Sequence, residues 1–169
     1  VGDGCDERAV TGEGNAAIFF VIDHCTCECL GIHAARRGPR FEALEPLRQA
    51  VREVYGRYAK NVATRLSLRH DHGSQYMSDD FQNDLVFLDI ASSPTFVREP
   101  EGNGCVERFV RTLKEQLLWL QRFEIVEELR VAIEAFRERY NREWIVERHG
   151  YQSPSAKRAA LKSGAEVAA

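Results

Sequence analysis

The chain has 169 residues, 44% of them hydrophobic, enough to bury one core and leave a short tail. Its net charge is −3 and its pI near 6.0, which argues against a stand-alone nonspecific DNA binder, because a grip on phosphates favours a basic surface. No apolar run is long enough to span a bilayer and no signal-peptide pattern opens the chain, so no membrane partner is expected and a cytoplasmic protein is the default.

Only two residues precede Asp3, the first candidate acid. Ala16 to Asp23 (AAIFFVID) is a continuous apolar run of β formers, as in a strand covered on both faces. A turn near Cys25 leads to a further strand, about Cys27 to Ala34, which makes a hairpin with it. Residues 36–40 are a loop holding Arg36, Arg37 and Arg40. Phe41, Leu44, Leu47, Val51 and Val54 then repeat at helical spacing up to Gly56, so this helix packs on the sheet.

Ala63 to Asp71 reads as a strand, with Leu66 and Leu68 alternating, that delivers Asp71 to its C-terminal end, where Gly73 permits a tight turn. Ser78 is an N-cap for a helix from Asp79 to about Leu88, whose first acids suit the positive helix start. A short strand over Asp89–Ser93 and a loop over 94–104 follow. The next helix, about Gly104 to Leu120, carries Val106, Val110, Leu113 and Leu117 on its core stripe. Glu107, Arg111 and Lys114 lie on a line rotated from it, at the rim between core and solvent. Basic residues gather there: Arg108, Arg111, Lys114 and Arg122. Ile125 to Tyr140 is another amphipathic helix, with Ile125, Leu129, Ala132, Ile133 and Phe136 apolar. Residues 1–154 are assigned to one core and 155–169, rich in alanine, to a short helical or frayed tail. Pattern alone supports a mixed sheet with helices on its faces.

The odd count of five cysteines without a secretion signal argues for reduced thiols. Cys25, Cys27 and Cys29 alternate as on one strand face; small buried residues are preferred to a zinc site, for which no fourth ligand is evident. His70 and His72 flank Asp71, and the preferred reading has one packed beside the turn and the other near substrate.

The segments HDHGSQY and PEGNGCVERFVRTLKEQL resemble the second and third signature blocks of the retroviral-integrase-like DDE transposases, especially bacterial insertion-sequence transposases whose acids are spaced D, D, 35 residues, E. VGDGC resembles the first block, with Cys5 where a threonine is usual, and YNREWIVERHGYQSP resembles the tail after the core. The resemblance implies an α/β ribonuclease H-like fold, a mixed central sheet flanked by helices, with its first strand truncated ahead of Asp3. It implies that Asp3, Asp71 and Glu107 are the catalytic acids and metal ligands, and that Asn103, Arg111 and Lys114 contact DNA. Two Mg2+ (or Mn2+) ions are expected, with DNA partners (insertion-sequence ends and target), a homo-oligomeric active form, a helix-turn-helix region that is separate or missing, and a bacterial cytoplasm. The expected reaction is metal-dependent phosphodiester cleavage by water, then strand transfer by the freed 3′-OH. An inactive truncated remnant and a ribonuclease H-like nuclease are the alternatives. Trp144 and Tyr151 are expected to pack on the core rather than stack on bases.

Overall fold

The computed structural model describes residues 2–36, 41–94 and 104–167; for residues 2–8, 10 and 165–167 the description is of the backbone. Five strands form one sheet in the order β3-β2-β1-β4-β5: β1 (Gly2–Thr11), β2 (Gly14–Ile22), β3 (Cys29–Ala35), β4 (Leu66–His70) and β5 (Ile90–Pro94). The first three are antiparallel neighbours, whereas β4 runs parallel to β1 and β5 parallel to β4. The sheet is therefore mixed, as the sequence predicts.

The apolar run of β2 is buried on both faces because alternate side chains enter opposite cores. Ile18, Phe20 and Ile22 meet Phe109, Leu113, Leu129 and Phe136 on one side. Phe19 and Val21 meet Leu44, Leu47, Leu68 and Phe81 on the other. The first layer comes from α3 (Gly104–Leu113) and α4 (Val126–Glu143), the second from α1 (Leu44–Tyr55) and α2 (Asp79–Leu88). At Gly31 the chain of β3 passes so close to α1 that a Cβ would lie 2.2 Å from the carbonyl oxygen of Pro46. Only glycine permits that approach.

Several boundaries differ from expectation. Helix α1 begins at Leu44, and Phe41 sits in the preceding turn with 56% of its surface exposed. β4 starts at Leu66 rather than Ala63, since Arg65 adopts a left-handed conformation (φ 68°) that breaks the extended run. Cys27 is likewise left-handed (φ 57°), so β3 begins at Cys29 and the three closely spaced cysteines do not share a strand face. Ile125 is the exposed residue before α4. Helix α2 matches expectation: the Ser78 hydroxyl accepts from the Phe81 N–H, and Asp89 ends the helix in the left-handed region.

The helix opened by α3 changes character at its end. Lys114–Leu118 form a π-helical turn, closed by the Trp119 N–H on the carbonyl of Lys114 at 2.9 Å. Beyond α4, a short 3-10 turn (Glu147–His149) leads to α5 (Pro154–Val167). Helix α5 is docked: Ser155 Oγ donates to Glu28 Oε1 at 3.2 Å, and Arg158 forms an ion pair with the other oxygen of that buried carboxylate.

Candidate active site

Register brings the first two acids together along the backbone. Gly4 of β1 pairs with His70 of β4 in parallel, so Asp3, one residue before that pair, and Asp71, one residue after it, lie diagonally across from each other near the start of β1. Ile22, which precedes the β2–β3 turn, pairs with Gly2 at this same end. Within that turn Cys27 is bonded by a disulfide to Cys105 in the first turn of α3, with Cα atoms 6.0 Å apart. Glu107 lies in that first turn and is exposed.

The Asp71 turn is built from beneath. His70 is fully buried; its Nδ1 donates to the carbonyl of Asp71 at 2.8 Å and its Nε2 bonds Ser92 Oγ at 2.9 Å. Tyr76 and Phe81 flank its ring at 5.7 and 6.0 Å. The half-buried Asp71 carboxylate accepts the Gly73 N–H on Oδ1 at 2.7 Å. Helix α3 is held by Phe109, which is 0% exposed and touches the rings of Phe20 (5.1 Å), Phe136 (5.9 Å) and Tyr140 (5.0 Å). Such edge and tilted contacts fix the roll of the helix and keep Glu107 on its outer side.

Residues 88–154 match the integrase core domain family. The catalytic core domain of BIV integrase is similar in structure, with TM-score 0.64 and 16% identity over 97% of this chain and 96% of that one. The HTLV-2 integrase catalytic core domain, solved in complex with magnesium in a trimeric form, gives TM-score 0.66 and 15% identity over 91% of this chain and 92% of that one. The fold is that of an integrase catalytic core. A mouse protein described as IgE-binding protein is 30% identical over 99 residues, 59% of this chain. The chain spans 16% of that relative's length.

Within this fold the candidate site residues take distinct positions. Asp71 is half-buried at the end of β4, Glu107 exposed on α3, and His72 exposed beside the turn. Arg111 is exposed and ion-paired with Glu115 at 2.9 Å, an i,i+4 contact, and Lys114 is partly buried at the start of the π-helical turn. Asn103 lies outside the described residues, as does the side chain of Asp3. Among the described residues no group of three His, Cys, Asp or Glu side chains gathers as a metal site. The described acids nevertheless offer the hard oxygen donors that suit magnesium, with Asp71 Oδ1 steadied by a backbone N–H.

Two expectations need correction. Cys27 and Cys105 are not both reduced thiols but a disulfide, because the fold brings together residues separated by 78 positions; Cys25 is exposed and Cys29 buried as free thiols. Trp144 packs as expected, partly buried and stacked on Tyr140 at 6.1 Å, but Tyr151 is 68% exposed. Tyr151 follows Gly150 in a left-handed pair (φ 62° and 67°), which turns its ring away from the core.

The tail contributes a support that local patterns do not reveal. Arg148 Nη2 donates to the His24 carbonyl at 2.5 Å and to Cys27 Sγ at 2.8 Å, while its Nε donates to His149 Nε2 at 3.3 Å. Burial lowers the pKa of both His24 and His149, and the Arg148 guanidinium lowers each further. Thus the segment after α4 braces the turn to which the Glu107 helix is tied.

Proposed function

We propose that the protein is the catalytic core of a DDE-type DNA transposase of the bacterial insertion-sequence kind, working in the cytoplasm. It cleaves a phosphodiester bond at an element's end and joins the freed 3′-OH to target DNA. The pairing of Gly4 with His70 is the observation that carries this reading, since Asp3 and Asp71 each lie one residue from that pair, diagonally across neighbouring chain segments. Asp3, Asp71 and Glu107 would hold two divalent ions, Mg2+ or Mn2+. When bound, such ions neutralise charge on the phosphoryl oxygens and lower the pKa of an attacking oxygen.

The chain's own residues do the positioning. Asp71 is kept on a short leash by His70 below and Gly73 beside it. Glu107 lies near the start of a helix anchored by Phe109 and the Cys27–Cys105 bond. Asn103, Arg111 and Lys114 would grip the DNA backbone, setting register without reading sequence. The active form would be a homo-oligomer, with recognition of the element ends left to a helix-turn-helix region outside this chain.

The test is a nicking and strand-transfer assay with Mg2+ or Mn2+ on oligonucleotides carrying element ends. Asp71→Asn and Glu107→Gln should each abolish both steps while leaving the thermal unfolding midpoint in place. Activity unchanged in both variants would rule the reading out.

A further inference from the structure

At the far end of β1 from Asp3 lies a groove of about 630 Å³ that shares Lys114 with the catalytic reading but is otherwise unused by it. Among its lining residues are Thr11, Lys114, Trp119, Arg122 and Glu124. Trp119 is 70% exposed, an unusual state for the largest aromatic side chain, and Arg122 is exposed beside it.

The π-helical turn explains how the groove is made. In an α-helix, residues five apart do not share a face, because the repeat is 3.6 residues. The 2.9 Å hydrogen bond from the Trp119 N–H to the Lys114 carbonyl spans five residues and widens the turn. Lys114 and Trp119 consequently line the same groove. Such π turns are rare and concentrate at functional sites.

Two cations and one carboxylate, Glu124, border an exposed indole. This is the chemistry that holds single-stranded nucleic acid: a base stacks on the aromatic face while its phosphate meets the cations. A blunt duplex has no unstacked base to give. Resting on the proposed DNA reading, we infer that this groove is a subsite for an unpaired nucleotide, with the base on Trp119 and the phosphate between Lys114 and Arg122. Along the helix, Trp119 is roughly 18 Å from Glu107 at 1.5 Å per residue. At the duplex rise of about 3.4 Å per phosphate along one strand, that is on the order of five nucleotides from the acids, and an unstacked strand spans it with fewer.

The experiment uses the whole chain with Trp144→Phe, which leaves Trp119 as its one indole. It is titrated, with chelator present to prevent cleavage, against a blunt duplex and the same duplex bearing an overhang of about five nucleotides. The inference expects quenching of Trp119 fluorescence by the tailed duplex alone. In the otherwise native chain, Trp119→Ala and Arg122→Ala should each weaken binding of the tailed duplex about tenfold, in line with the loss of one stacked base or one phosphate contact. Equal affinity for tailed and blunt duplex, binding without quenching, or unchanged affinity in Trp119→Ala would overturn it. So would failure to bind either DNA, which leaves the catalytic reading to its own nicking assay. Tail-dependent quenching in a protein that neither nicks nor transfers strands would support the groove and sink only the catalytic proposal.

Discussion

The side-chain amide of Asn141 exchanges two hydrogen bonds with the backbone of Cys29, accepting its N–H and donating to its carbonyl, each at 2.8 Å. A residue of α4 thus supplies the ladder partner that β3 lacks on its outer edge. Both residues are buried, so removal of the amide strands the Cys29 N–H away from water and leaves its carbonyl only the 3.5 Å bond from Arg137 Nη1. Asn141→Ala should lower the unfolding free energy by about 3 kcal/mol, the scale for buried polar groups left unsatisfied. Urea denaturation measures it, and a loss below about 1 kcal/mol would mean that water or a shift of the chain replaces the amide.

Gly73 is the next point of sensitivity, because a Cβ there would lie 2.5 Å from Gln75 Nε2 and 2.8 Å from Asp71 Oδ1. The glutamine is flexible and can move aside. The aspartate cannot do so without giving up its 2.7 Å bond to the Gly73 N–H. Gly73→Ala should therefore cost little stability yet reduce DNA nicking at least tenfold, an effect consistent with misplacement of a reacting group. Nicking at the native rate in a folded Gly73→Ala protein would show that the position of Asp71 is set by other contacts.

What was legible in the sequence follows the range of the interaction. The double-sided apolar run of β2, the Ser78 cap of α2 and the Leu44, Leu47 and Val51 stripe of α1 are local patterns, and the fold uses all of them. On α3 the sequence periodicity runs the stripe through Val110, whereas Phe109 is the fully buried residue; the two adjacent apolar residues leave helical phase ambiguous until the facing rings are known. The π-helical turn was invisible because Leu117 and Leu118 also satisfy an ordinary helix. Asp71 and Glu107 stood out through their neighbours, but Asn141 with Cys29, Arg158 with Glu28 and Cys27 with Cys105 join residues that no local pattern relates.

The last of these pairs has its own consequence. A cross-link between positions 78 apart removes much freedom from the unfolded chain. Loss of the bond should destabilise the protein by about 2–4 kcal/mol, seen as a lower thermal midpoint in dithiothreitol. Cys105→Ser should show the lower midpoint without reductant and no further response to it. A native chain insensitive to reductant would mean that the two sulfurs contribute through packing alone.

Stability should also depend on pH through the turn that Arg148 braces. Burial, helped by that guanidinium, depresses the pKa of His24 and His149 below the ordinary 6.5. As pH falls through about 6.5, the unfolded chain takes up protons that the folded chain still refuses, so acidification favours unfolding. The stabilisation is complete above that value and declines below it, until the folded-state histidines protonate as well. Carboxylates titrate mostly at lower pH, which leaves the interval from about pH 7 to 5 to histidine. Thermal midpoints recorded across this interval should fall with pH in the native protein and fall less steeply in His24→Gln/His149→Gln. An identical slope in the double variant would assign the acid sensitivity to other groups.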